Sequence, residues 1–289
     1  MKRIFFPIVL FCVFILSACG ASAPDSGAAA ADAAAPDPHE MTITATADGW
    51  EAPEAAPAGW TRITLNNESD GLRQAAFLRL EDDKTMDDVF AAIEAGMEEP
   101  EPWMAPLGGV SGVLPGNNAT VSINLVAGQY IVVDPVPTED GVPGMAKGYF
   151  TPLLVEEGDV ANSAPAADVA VNLVDFGFEG DLDALSSGNH TIQVSNSSSQ
   201  EAHELVIVKL DEGVTVGDFL DAFSPEAPGG PLPGQFIGGT AAFVGESDNY
   251  LEVNLEEGAT YGLICFLPSP GNQGQPHFML GMVGQFTAQ

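Results

Sequence analysis

The sequence has few basic residues, few histidines and few cysteines. Eight lysines and arginines stand against 41 aspartates and glutamates, so the formal net charge at pH 7 is −33. So acidic a chain repels polyphosphates, which excludes nucleic acid as a partner and favours solubility and the attraction of cationic partners. The four histidines cannot supply a multinuclear metal cluster, and the three cysteines leave little room for disulfides.

The N-terminus, MKRIFFPIVLFCVFILSAC, has the order of an export signal: two positive charges, an apolar run and then small residues. The segment Leu16-Ser17-Ala18-Cys19 resembles the lipobox of bacterial lipoproteins, which are cleaved before the cysteine and acylated on it. We therefore expect residues 1–19 to be a lipoprotein signal peptide and Cys19 to anchor the protein to a cell membrane, outside the cytoplasm. A plain secretory signal and an uncleaved helix are the alternatives, although the apolar run is short for a membrane span.

One thiol, Cys265, remains once Cys12 is removed with the signal and Cys19 is acylated. Exported cysteines that come in pairs normally become disulfides. A single exported thiol can be buried and inert, can pair between molecules, or can be protected by bonding to a metal.

The mature chain divides into a tether and two repeats. Residues 20–40 consist mainly of Ala, Pro, Asp, Gly and Ser, which predicts a disordered tether. Beyond it, AAFLRLEDDKTMDDVFAAI is repeated about 130 residues later as LVIVKLDEGVTVGDFLDAF, and later segments repeat at a similar offset. We predict two homologous domains, 41–157 and 166–289, joined by a linker at 158–165.

Each repeat has the pattern of a β-sandwich with one helix. Short runs rich in Val, Ile, Thr and Phe are separated by Gly, Asn, Asp and Pro at the spacing of sandwich strands. Thr85 and Thr215 each precede an acidic residue by three positions and lead into apolar residues at helical spacing, which predicts two capped helices. The predicted fold is all-β, with two tandem Greek-key sandwiches that each carry one short inserted α-helix.

The second repeat places sulfur and imidazole groups at the ends of predicted strands. His203 opens one strand, Cys265 ends another, and His277 and Met282 follow across a loop. Two imidazoles, a thiolate and a thioether are the ligands of a type 1 copper centre, a trigonal His₂Cys site with a long axial Met. These soft ligands favour copper over calcium or magnesium.

The segments Tyr261-Gly-Leu-Ile-Cys265 and His277-Phe-Met-Leu-Gly281-Met282-Val-Gly284 resemble the ligand strands of the cupredoxins, the family of plastocyanin and azurin. The resemblance covers the second repeat strongly and the first only as a scaffold. It implies one copper per chain, in the C-terminal domain, with four ligands: His203, Cys265, His277 and Met282. Together with the predicted anchor at Cys19, it implies a membrane-anchored, extracytoplasmic electron carrier, not an enzyme, whose redox or envelope protein partner docks near His277.

The first repeat has none of these ligands. At the aligned positions it carries Arg73 for His203, Asp134 for Cys265, Gly144 for His277 and Tyr149 for Met282. The four residues are therefore present together in one repeat and absent together from the other, which indicates that they act as a set and that the fold does not require them.

Other functions stay open at this point. Eleven residues separate Cys265 from His277, where the family usually has only a few, and this favours a metal-free cupredoxin-fold lipoprotein that binds other envelope proteins. Copper storage or delivery would use the same ligands with Cu(I). Met279 is a second thioether candidate, but in an extended strand it faces away from Met282. His39 and His190 have no partners in the sequence and are interpreted as incidental.

Overall fold

The structure is a computed structural model, and it describes residues 36–289 except 96, 98–99, 159–161, 199–200, 225–226, 228 and 246. The predicted signal peptide, Cys19 and most of the predicted tether lie outside these residues, so the lipid anchor stays a prediction. No helix in the described part of the chain is long and apolar enough to cross a membrane. We refer to residues 36–158 as the first half and to residues 162–289 as the second half.

The first half consists mainly of strands, beginning two residues before the predicted start of the first domain. They are β1 (His39–Thr46), β2 (Gly49–Glu51), β3 (Ala55–Pro57), β4 (Gly59–Asn67), β5 (Arg73–Leu80), β6 (Met104–Val113), β7 (Asn118–Leu125), β8 (Gly128–Val133) and β9 (Phe150–Glu156). Helix α1 spans Met86–Glu94, between β5 and β6, and a 3₁₀ turn spans Gly144–Lys147.

The second half repeats this order. Its strands are β10 (Val169–Val174), β11 (Gly177–Gly180), β12 (Gly188–Asn196), β13 (His203–Leu210), β14 (Gly234–Phe243), β15 (Asn249–Leu255), β16 (Thr260–Ile264), β17 (Pro268–Ser269), β18 (Gln275–Pro276) and β19 (Val283–Thr287). Helix α2 spans Val216–Asp221, and 3₁₀ turns span Leu182–Ala184, Pro270–Asn272 and His277–Leu280.

Two large sheets run through both halves. One has the strand order β11-β10-β12-β15-β7-β4-β1-β2, and the other has the order β19-β16-β13-β14-β6-β5-β8-β9-β3. The halves join where β14 pairs with β6 and where β15 pairs with β7, antiparallel in both cases. The main hydrophobic core draws on both halves and includes residues of both sheets. The predicted all-β class, with two sandwiches and one helix inserted in each, is confirmed. The predicted domain boundaries stay a prediction.

The central strands β5 and β13 are buried along almost their whole length. Alternate side chains of each strand enter the main core, while the others lie under the inserted helix, with Val89 of α1 and Phe219 of α2 fully buried there. Helix α2 begins with the predicted cap, because the Thr215 hydroxyl accepts from Asp218 N–H and the Asp218 carboxylate accepts from Thr215 N–H. The first residue of each central strand, Arg73 in β5 and His203 in β13, is also buried.

Candidate metal centre

Three potential metal ligands meet inside the second half. His203 is the first residue of β13, and Cys265 directly follows β16, which pairs antiparallel with β13 with Val206 opposite Ile264. This register brings the start of β13 close to the end of β16. The 3₁₀ turn that begins at His277 is held over the same place, because His277 N–H donates to the Leu267 carbonyl at 2.8 Å.

The ligand atoms converge on one point. The Nδ1 atoms of His203 and His277 lie 3.0 Å apart, and Cys265 Sγ lies 3.3 Å from His277 Nδ1. The donor atoms of the three residues all lie within 4.8 Å of one another. His203 and Cys265 are 0% exposed and His277 is 1% exposed. This group has the size, the ligand types and the burial to hold one metal ion.

The hydrogen bonds of the two imidazoles fit a metal at their Nδ1 atoms. His277 Nε2–H donates to Glu201 Oε2 at 2.8 Å, which leaves the Nδ1 lone pair of His277 directed toward Cys265 and His203. His203 Nε2 is buried without a hydrogen-bond partner, and its closest carboxylate oxygen, Asp175 Oδ1, is 3.9 Å away. A metal bound to Nδ1 of His203 would place a proton on that Nε2, facing the Asp175 carboxylate.

The pKa values of the ligands follow from their burial. Burial and, to a smaller extent, the neighbouring His277 together lower the pKa of His203 to about 4, so His203 is a neutral imidazole at pH 7. Burial also raises the pKa of the Cys265 thiol, and the Glu204 carboxylate adds to this rise. A metal must therefore displace the thiol proton when it binds.

Met282 lies beside the group through its backbone. Its N–H donates to the His277 carbonyl at 3.0 Å, and its carbonyl accepts from Cys265 N–H at 3.4 Å. The side chain is fully buried. Its role as an axial ligand stays a prediction. The expectation of an extended strand around Met279 is wrong, because residues 277–280 form a 3₁₀ turn, and in this turn Met279 is 60% exposed.

The long segment between Cys265 and His277 is folded back on itself. Its strands β17 and β18 pair antiparallel, and Ser269, the last residue of β17, is buried. The Ser269 hydroxyl donates to Glu201 Oε1 at 2.9 Å. The additional residues therefore leave His277 in place, and its side chain is buried instead of being presented to a partner.

Sequence reasoning missed the residues that surround the ligands. The Phe176 ring lies 5.2 Å from the His277 ring and 6.4 Å from the His203 ring, measured between centroids. Phe176 has a φ of 60°, which is rare for an aromatic residue. Glu204 is buried next to His203 and accepts from Phe266 N–H at 3.0 Å, and burial raises its pKa to about 7. The one sequence signal near Phe176 is Gly177, a typical turn residue, which follows Phe176 where the chain turns from β10 into β11.

The four aligned positions of the first half also meet in space. Arg73 Nε lies 3.8 Å from Asp134 Oδ2, and the Arg73 guanidinium carbon lies 4.0 Å from the centroid of the Tyr149 ring. A Cβ on Gly144 would lie 2.8 Å from Asp134 Oδ2. The sequence alignment thus pairs the correct positions. In the first half an arginine and a carboxyl group occupy the place of the ligands.

Comparison with known proteins yields structural neighbours only. No family model and no curated protein matches the chain. It is similar to dithionite-reduced auracyanin from Roseiflexus castenholzii (23% identity over 43% of this chain and 99% of that chain, TM-score 0.28). It is also similar to an azurin from Methylomonas sp. strain J (15%, covering 43% and 99%, TM-score 0.29) and to copper nitrite reductase from Nitrosomonas europaea (13%, covering 86% and 93%, TM-score 0.25).

The auracyanin and the azurin match under half of the chain, whereas the nitrite reductase matches most of it. Every TM-score is below 0.5, so the metal centre rests on the geometry of this chain and not on the matches. That geometry is a buried His₂Cys group in a β-sandwich.

Proposed function

We propose that the chain is an extracytoplasmic copper protein that passes single electrons through its second half. The observation that carries the proposal is the convergence of His203, Cys265 and His277, whose closest donor atoms are 3.0 and 3.3 Å apart in a fully buried place. Two imidazoles and a thiolate in a trigonal arrangement, with a weak thioether from Met282, are the ligand set of a copper site that exchanges electrons. Copper, when bound, supplies the one-electron chemistry.

The burial of the ligands favours a carrier over an enzyme. A catalytic metal site keeps a coordination position open to water or substrate. Here the three ligands are at most 1% exposed, and the Phe176 ring packs 5.2 Å from the His277 ring. Burial of this kind leaves no coordination position open to water or substrate. The same burial disfavours copper delivery, which needs ligands that a recipient can reach.

The location and the partner belong to the same proposal. We propose that acyl chains on Cys19 hold the protein at a membrane surface and that the strongly acidic chain steers cationic redox partners toward it. Since His277 itself is covered, a partner that docks near it would meet its exposed neighbour Met279 first.

Copper titration of the full-length protein in detergent tests the proposal. We expect one copper per chain, with the intense visible absorption of a thiolate-to-copper charge transfer, and reversible one-electron reduction. A folded protein that takes up no stoichiometric copper would contradict the proposal. It would instead favour the metal-free alternative, an envelope lipoprotein that uses two cupredoxin-like sandwiches for binding.

A further inference from the structure

The ring of His277 has a second partner besides the metal ligands. Its Nε2–H donates to Glu201 Oε2 at 2.8 Å, and the side chain of Glu201 is 18% exposed. A hydrogen bond from a neutral imidazole to a carboxylate fixes which ring nitrogen carries the proton. In His277 the proton is on Nε2, so Nδ1 keeps its lone pair free on the side of Cys265 and His203.

The long ligand loop is built around the carboxylate of Glu201. Ser269 of β17 donates its hydroxyl proton to Glu201 Oε1 at 2.9 Å, and Asn272 Nδ2–H donates to the Ser269 hydroxyl at 2.9 Å. The Gly274 N–H donates to the Ser269 carbonyl at 2.9 Å, which closes the hairpin. Both oxygens of Glu201 therefore have partners, one from the ring of His277 and one from the loop.

Glu201 also belongs to the half of the chain that has the ligands. In the alignment that pairs Arg73 with His203, the residue opposite Glu201 is Gly71. The first half thus lacks the carboxylate as well as the ligands. A carboxylate kept only for the stability of the sandwich has no reason to occur in that half alone.

From these contacts we infer that Glu201 is a positioning residue for His277, and that the loop of residues 266–276 serves to hold Glu201 against the ring. This inference rests on the proposed copper site and specifies how that site is tuned. A carboxylate partner raises the basicity of a metal-bound imidazole and fixes its orientation. A more basic ligand stabilises the oxidised metal, so Glu201 lowers the reduction potential of the site.

The test compares two substitutions that each remove one carboxylate charge near the site. Glu201→Gln removes the charge that is hydrogen-bonded to His277, and Asp175→Asn removes a charge 3.9 Å from His203 Nε2, beyond hydrogen-bond distance. In the full-length copper-loaded protein, we expect Glu201→Gln to raise the reduction potential clearly more than Asp175→Asn does. We expect Glu201→Ala, which removes the partner altogether, to weaken copper binding about 10- to 100-fold. Equal potentials in the two charge variants would overturn the inference.

A measurement without copper separates this inference from the proposed function. In the metal-free protein, nitrogen-edited NMR should show the Nε2 proton of His277 protected from exchange with water, and Glu201→Ala should abolish that protection. Rapid exchange in the unsubstituted protein would overturn the role of Glu201. If the unsubstituted protein binds no copper, the proposed function fails. The exchange rate of the Nε2 proton then tests only the hydrogen bond between His277 and Glu201.

Discussion

The first and second halves of the chain use the same four places for different purposes. Four positions come together in each half. They are the first residue of the central strand (β5 or β13), the residue after β8 or β16, the first residue of a 3₁₀ turn, and the residue after the glycine that ends that turn. The second half fills these places with two imidazoles, a thiol and a thioether. The first half fills them with Arg73, Asp134, Gly144 and Tyr149.

In the first half a permanent cation stands where the second half can hold a metal. Arg73 is 2% exposed and lies over the Tyr149 ring, with the Asp134 carboxyl 3.8 Å from its Nε. The Tyr149 hydroxyl donates to the Thr46 carbonyl at 2.7 Å, which fixes the ring. The scaffold is thus closed here by packing, by the charge of Arg73 on its two neighbours and by the hydrogen bond of Tyr149. The difference teaches that the metal ligands are an addition to a fold that is complete without them, unlike a zinc finger, which folds only with its metal.

The largest effect on this comparison is expected from Cys265→Ser. A hydroxyl group is a poor ligand for copper, so the intense visible absorption should vanish and copper affinity should fall by orders of magnitude. The fold should survive, because the corresponding position in the first half holds an aspartate and that half is still packed. Absorption and circular dichroism of the copper-treated variant check both points. Retained colour would exclude Cys265 as the thiolate ligand.

The next effect is the contribution of Asp134, in the first half, to the pH dependence of stability. Burial raises the pKa of Asp134 to about 7, above its ordinary value near 4, so the folded protein binds the proton more tightly than the unfolded chain. This contribution to stability is complete below about pH 4 and is lost as pH rises to about 7. Asp134→Asn cannot titrate. Its unfolding free energy relative to the unsubstituted protein should therefore increase over this interval, by on the order of 4 kcal/mol at most, since one pKa unit is about 1.4 kcal/mol.

Urea unfolding at several pH values measures this difference. Asp140→Asn is the control, because the Lys147 ammonium and the Thr138 hydroxyl lower the pKa of exposed Asp140 to about 2, which places its own effect below pH 4. A constant difference between Asp134→Asn and the unsubstituted protein from pH 4 to pH 7 would show that Asp134 is ionised throughout, as a firm ion pair with Arg73 requires.

The smallest effect concerns Gly144, the first-half residue that aligns with His277. A Cβ on Gly144 would lie 2.8 to 3.0 Å from three atoms of the Asp134 side chain, closer than packed side chains allow. We expect Gly144→Ala to lower the free energy of unfolding by about 1–3 kcal/mol, the usual range for overpacking. Gly158→Ala is the control, because the nearest atom to its Cβ would be 3.6 Å away. Denaturant unfolding compares them, and equal stabilities would show that the first half has room for a larger side chain here.

The ligand group could be predicted because its members lie at the ends of strong strand patterns. Strand alternation and the internal repeat give the positions of His203 and Cys265, and the repeat pairs each ligand with its counterpart. The capping pattern at Thr215 likewise predicts helix α2, although Phe223 lies beyond its end and is 45% exposed.

The surroundings of the ligands could not be predicted, because they depend on contacts between distant segments. Glu201 meets His277 through a hairpin whose fold depends on Ser269, a residue with no distinctive sequence pattern. The continuation of both sheets across the halves depends on the edge pairing of β14 with β6 and of β15 with β7. Strand patterns show which residues face the core, but they do not show which edges pair.

The Phe176 ring lowers the polarity of the surroundings of the candidate ligands, which none of the ligands does itself. An aromatic residue with a φ of 60° is held in a left-handed conformation that costs of order 1–3 kcal/mol, and its counterpart in the first half is Asp48. The ring keeps water, and with it a high dielectric constant, away from both imidazoles. A medium of low polarity favours the less charged state of an ion, so, if the group binds copper as proposed, this one turn would favour reduced copper while Glu201 would favour oxidised copper. The reduction potential of the proposed copper site would then depend on two opposing effects, from an aromatic ring and from a carboxylate, neither of which is a proposed ligand.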